Sequence, residues 1–129
     1  MKYPKPKRRE KDSTVRNRLD RLTREVVRLR DRFCVICGSM EGLEASHYLG
    51  RRNYGVRWDL FNVHLMCKKC HNLHHDGKPV YIKYMMDTYG AWILEEMYRR
   101  QNKWRVMTKG EKNERKREIE KELKELLDA

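Results

Sequence analysis

The sequence predicts a small α+β fold: a short β-hairpin unit, cross-linked through paired cysteines and flanked by helices at both ends. Three observations lead there. First, 129 residues make about one domain, with little room for a second independent core. Second, apolar residues make up only 39%, below the roughly 45–50% of a globular domain (a count that includes Gly), so the core needs a cross-link. Third, the segment 33–78 holds all four cysteines, all five histidines and five of the seven glycines. The balance of 31 Lys+Arg against 19 Asp+Glu gives a net charge of +12, which points to a polyanionic partner. No apolar run approaches the ~20 residues that span a bilayer, and Met1–Lys7 lacks the apolar segment of a signal peptide. The chain therefore reads as soluble and intracellular, with no membrane partner. In that reducing compartment, paired CxxC motifs hold metal rather than disulfides.

The elements follow in order. Residues 1–11 combine Lys7, Arg8 and Arg9 with two prolines and read as a basic arm, disordered until it meets a partner. Residues 12–32 read as a basic amphipathic helix, with Ser13 or Thr14 as N-cap. Val15, Leu19, Leu22, Val26, Leu29 and Phe33 recur at spacings of 4, 3, 4, 3 and 4, an a/d-type stripe for the core or a partner helix. Seven arginines and no lysines between 13 and 32 favour a phosphate-facing helix, Arg16, Arg24 and Arg28 among them, because guanidinium forks match phosphate oxygens. Leu43, Ala45, His47 and Leu49 alternate as one face of a strand, and Asn62–Cys67 form a second, joined by a long basic loop. In that loop Arg51, Arg52 and Arg57 suit phosphates, its glycines allow close backbone approach, and Tyr54 is placed to stack on an unpaired base. Trp58 reads as core. Residues 79–105 read as helical support, with Pro79 at a first helical position, Gly90 as a stop, and Ile93, Leu94, Met97 and Tyr98 buried. Residues 106–129 read as a charged helix, with Glu111–Arg115 and Glu120–Lys124 pairs and a narrow apolar edge of Ile119, Leu123, Leu126 and Leu127. That edge and the N-terminal stripe suggest a homodimer through the terminal helices.

Cys34-x-x-Cys37 and Cys67-x-x-Cys70, 29 residues apart, suit one tetrahedral structural Zn²⁺ that closes the hairpin into a loop. Four thiolates leave no open position, so this ion is scaffold. His71 and His75 stand four apart and share one face of a helix, as two ligands to one ion must.

His47 in Glu44-Ala45-Ser46-His47-Tyr48, then Asn62, then Cys70-His71 give the order His, Asn, His inside a four-cysteine frame. The pattern resembles the HNH nucleases. Val56-Arg57-Trp58, Asn62-Val63-His64 and Pro79-Val80-Tyr81 with a Tyr89-Gly90 stop make residues 33–105 similar to one group among them, the phage recombination nucleases of the NinG (Rap) family. The resemblance implies a ββα-metal (His-Me finger) unit over 33–78. It makes His47 the general base, Asn62 the residue that ties down its loop, and His71 a ligand to a catalytic divalent cation, Mg²⁺ or Mn²⁺, to which the helical spacing adds His75. It implies endonuclease action on branched recombination DNA, such as a Holliday junction or D-loop, in the cytoplasm of a bacterial host. Many HNH sites carry Asp or His before the base where this chain has Ser46, a weak ligand for a hard cation. His75, Asp76, His64 or added waters then complete the coordination. Two other functions fit the same residues: a non-catalytic zinc-stabilised DNA-binding module, and an HNH nicking enzyme acting on linear duplex.

Overall fold

A computed structural model describes residues 3–4, 11–103 and 106–129. In chain order the elements are α1 (Asp12–Asp31), β1 (Leu43–His47), α2 (Tyr54–Arg57), β2 (Val63–Cys67), α3 (Lys68–His75), α4 (Val80–Tyr89), α5 (Trp92–Lys103) and α6 (Lys109–Asp128). The mixed helical architecture around a two-stranded sheet is the α+β class the sequence predicts. Lys7, Arg8 and Arg9 lie outside the described residues.

β1 and β2 pair antiparallel, with Leu43 opposite Cys67 and His47 opposite Val63. Both faces of the hairpin are covered. Val63, Leu65 and Ala45 pack on Val27 of α1, while Met66 joins Cys34, Cys67, Cys70, Tyr81, Met85, Ile93 and Met97 on the other side. All five residues of β2 are consequently buried, and the strand lacks the alternation that marks a half-exposed one. Because side chains alternate along β1, Ala45 and His47 face α1 while Glu44 and Ser46 face the side on which α3 lies. α3 runs beside β1 in the same direction: His71 meets Glu44, with Nδ1 3.4 Å from its Oε1, and His74 comes against the backbone carbonyls of His47 and Tyr48.

The N-terminal stripe is buried as its spacing predicts at Val15, Leu19, Leu22 and Val26, where it meets Trp58, Met107 and Ile119, with Leu123 and Leu126 beside them. The two apolar edges assigned to a dimer thus close on each other within one chain. Each fully buried Leu or Ile in the seam stabilises the helix pair by roughly 1.5–3 kcal/mol. A Lys112–Asp12 ion pair at 2.6 Å closes the end of the pair. Leu29, Phe33 and Tyr98 are exposed instead of buried, because α1 ends at Asp31 and α5 turns only Ile93 and Met97 fully inward.

Three helix starts differ from expectation. α1 begins at Asp12 with Lys11 as N-cap, so Ser13 and Thr14 lie in the first turn, where the Asp12 charge suits the positive end of the helix dipole. Pro79 is the N-cap of α4 and not its first residue. α6 begins at Lys109 with a Thr108–Glu111 capping box, which takes the Glu111 carboxylate that the sequence pairs with Arg115. Arg115 turns to Asp59 and Glu118, and Glu120 to Lys116. The short α2 inside the loop has no signal in the hydrophobic pattern, and it takes up Gly55, which is buried.

Candidate metal centres and nucleic-acid face

The four cysteines converge as their spacing predicts. Their sulfurs lie within 4.8 Å of one another, and Cys37 and Cys67 Sγ are 3.6 Å apart. A tetrahedral ion with Zn–S of ~2.3 Å needs sulfurs about 3.8 Å apart, so the donor set fits zinc in both chemistry and spacing. The first pair sits on a knuckle in which Gly38 N–H bonds the Cys34 carbonyl at 2.8 Å, and Gly38 takes φ +80°, a conformation that favours glycine. Burial pushes the Cys34 thiol up, yet the backbone N–H groups of Cys37, Cys67 and Ile36 outweigh it and bring it down to about 7. Burial and the neighbouring thiols push Cys70 the other way. A bound dication reverses that direction, since a coordinating thiol is deprotonated outright. The Cys67 sulfur also caps α3, accepting from Cys70 N–H at 3.5 Å.

On α3, His71 and His75 present their Nε2 atoms to each other at 2.8 Å. Two nitrogens so spaced, each ~2.1 Å from one ion, subtend roughly 85° there, close to the cis angle of an octahedral cation. The pair could supply two imidazole ligands to one metal ion. Glu44, which the sequence reading does not single out, faces Nδ1 of His71. A carboxylate behind a histidine ligand fixes its tautomer and raises its basicity. Glu44 stands three residues before His47, a position that strand alternation puts on the α3 side.

His47 ends β1 with its Nε2 2.9 Å from the Arg57 carbonyl. A carbonyl only accepts, so Nε2 carries the proton and Nδ1 keeps the lone pair. Burial holds the imidazole down at about 4, with the Arg51 and Arg57 charges adding to the effect against the Arg57 carbonyl and Asp20; the ring is neutral at pH 7. Asn62 is fully buried. Its Oδ1 accepts from Leu49 N–H at 2.8 Å, and its Nδ2 donates to the Leu49 and Val56 carbonyls at 3.0 and 2.9 Å. The loop that carries the Arg57 carbonyl is thereby closed on the end of β1.

A cavity beside His47 is lined by Asp20, Thr23 and Arg24 of α1 and by Arg51. The structure thus brings His47 together with two arginines that the sequence assigns to phosphate, while the His71–His75 pair lies across the hairpin on the α3 side. Arg24, Arg28, Arg51 and Arg52 are exposed. Arg16 is half-buried and donates to the Tyr54 hydroxyl at 2.9 Å. Arg57 does not belong with the phosphate-facing set. It makes a two-pronged contact to Asp20 at 3.0 and 2.7 Å and lies near the Tyr54 and Trp58 rings, 5.6 and 5.5 Å from their centroids. Asp20, which the sequence reading also passes over, gathers Arg51 and the Trp58 indole N–H as well. Burial raises its carboxyl, but these donors outweigh it and hold the group below the usual carboxylate range. Trp58 is core, as read from the sequence.

His64 is a core residue and no candidate ligand. Its Nδ1 and Nε2 engage the Tyr81 and Tyr89 hydroxyls at 2.8 and 2.7 Å, and burial holds it neutral, at about 3. His74 packs on the rings of Tyr81 and Tyr48 and is turned away from the His71–His75 contact, as its helical position predicts. The Ser46 hydroxyl is buried without a hydrogen-bond partner.

Fold and site define an α+β protein built around a four-cysteine cluster that could bind zinc, with a histidine pair on the helix that follows it. The chain belongs to the NinG family: the family described as Bacteriophage Lambda NinG protein matches residues 3–128, beyond the 33–105 that carry the motif resemblance. No curated protein and no solved structure matches the chain. No described helix is long and apolar enough to cross a membrane.

Proposed function

We propose that this protein is a metal-dependent DNA endonuclease of HNH type, acting in phage recombination on branched intermediates such as Holliday junctions and D-loops. The observation that carries the reading is His47: a neutral imidazole with Nε2 anchored on a backbone carbonyl, Nδ1 left as base, and Arg24 and Arg51 lining the same cavity. In the mechanism, His47 Nδ1 takes a proton from water as the water oxygen attacks phosphorus, the P–O3′ bond breaks and the departing O3′ takes a proton from solvent water, so that the products are 3′-hydroxyl and 5′-phosphate ends. His71 and His75 would hold a divalent cation on the α3 side of the hairpin, where it would supply charge neutralisation to the bound DNA backbone. Arg24, Arg28, Arg51 and Arg52 supply phosphate contacts that orient the DNA, and the Cys34, Cys37, Cys67 and Cys70 zinc holds the hairpin. Branch specificity rests on the family relationship.

The test is a panel of junction, D-loop, flap and linear duplex incubated with Mg²⁺, Mn²⁺ or chelator, for wild type and His47→Ala. Cation-dependent cutting of branched DNA that His47→Ala loses supports the reading. Equal cutting of linear duplex indicates a nicking enzyme, and tight binding without cutting indicates a zinc-stabilised binding module.

A further inference from the structure

We infer that Asp20, on α1, is the positioning residue for His47, acting through the loop that holds the imidazole in its working tautomer. The inference deepens the nuclease reading and rests on His47 as its base.

The geometry runs from carboxylate to imidazole in two links. Asp20 accepts four hydrogen bonds from three residues of one loop: Arg57 Nε at 3.0 Å, Arg57 Nη2 at 2.7 Å, Trp58 Nε1 at 2.8 Å and Arg51 Nη2 at 3.0 Å. The backbone carbonyl of that same Arg57 accepts from His47 Nε2 at 2.9 Å. Asp20 and Arg57 are mostly buried, at 13% and 14% side-chain exposure, so each relies chiefly on the other for charge compensation. Removing one partner leaves an uncompensated charge in a confined place. Asn62 anchors the loop from below through Val56 and Leu49, and this carboxylate ties the Arg57 side chain to the body of the protein from the α1 side. An imidazole without its carbonyl partner distributes its proton between both nitrogens, and the molecules with Nδ1–H have lost the base. Arg51 is the exposed member of the group, at 60%. It reaches Asp20 from the mouth of the cavity, so α1 supplies the counter-charge that keeps the loop closed while its exposed arginines meet DNA.

The test reads the tautomer directly. Record imidazole ¹⁵N spectra of zinc-loaded wild type, Asp20→Asn, Asp20→Glu and Arg57→Met, and measure kcat and DNA Kd on a junction for each. Arg57→Met keeps the backbone carbonyl and cuts the same link from the other side, so the question is answered even if an Asp20 variant does not fold. Wild type is expected as Nε2–H alone. Asp20→Asn and Arg57→Met are expected as mixtures, with kcat down about 10- to 100-fold and Kd within about threefold of wild type. Asp20→Glu should recover most of the rate. An unchanged His47 tautomer in both Asp20→Asn and Arg57→Met overturns the inference, and so does a rate loss accounted for entirely by weaker DNA binding. If the tautomer shifts but wild type cuts none of the DNA panel, the Asp20 role stands and the nuclease reading fails.

Discussion

Asn62 offers a direct test of how the loop is held, independent of any activity. Asn62→Ala removes three buried hydrogen bonds, at 2.8, 3.0 and 2.9 Å. Each is worth about 0.5–1.5 kcal/mol net, and the stranded Leu49 N–H and Leu49 carbonyl add to the loss, for a total of about 3 kcal/mol. Asn62→Asp keeps the shape and still accepts from Leu49 N–H, but it turns an acceptor toward two carbonyls. A buried unpaired carboxylate takes up a proton instead, and its single O–H then serves one carbonyl of the two. The aspartate is therefore expected to destabilise at least as much as alanine, despite being isosteric with the native residue. For a chain of this size, 3 kcal/mol lowers Tm by about 10 °C. Thermal melting of the zinc-loaded proteins, followed by far-UV circular dichroism and by tryptophan fluorescence, reads the shift. An Asn62→Asp protein that melts within about 2 °C of wild type would refute the arrangement, since its amide nitrogen could not then be serving both carbonyls.

Further outcomes follow from the rest of the site. His47→Ala should abolish cleavage on the junction panel with DNA Kd unchanged within about threefold, because the base acts on water and not on binding; equal cutting by the mutant removes it from the mechanism. Changing Cys67 to Ser should release zinc and unfold the central unit, as read by metal analysis and melting, since the binding free energy of a structural zinc is folding free energy; a mutant with full zinc and wild-type Tm would show the cysteines are misassigned. Replacing His71 or His75 should raise the Mg²⁺ or Mn²⁺ concentration needed for cleavage, His71 more than His75, whereas His74→Ala should do so least, because its ring packs on Tyr81; a cation titration in which His74→Ala is the most severe would move the ion elsewhere. His47 and His64 are held at about 4 and about 3 against an ordinary 6.5, so as pH falls the unfolded chain takes up their protons first. Stability then declines from about pH 6.5 downward, by about 2 kcal/mol per histidine at pH 5; NMR titration of either ring near 6.5 in the folded protein would contradict this.

Sequence alone determined the parts whose signal is local. The CxxC spacing brings four cysteine sulfurs together because a tight turn makes each pair. The 4-3-4 recurrence from Val15 to Val26 sets the buried face of α1 because a helix has 3.6 residues per turn. The four-residue step from His71 to His75 aligns their nitrogens for the same reason. Asn62 and His47 were legible through the order of motif residues. Tertiary structure decided what depends on partners distant in the chain. The C-terminal apolar edge could have met a second copy as readily as α1 of its own chain, since both present the same seam. Arg57 and Arg51 look alike in sequence, yet one is confined against Asp20 and the other reaches solvent. Asp20 itself, one acid among many charges on a basic helix, acquires its place only when α1 packs across the hairpin 37 residues from Arg57. Charge and hydrogen-bond partners so far apart in sequence are chosen by packing, and no periodicity records them.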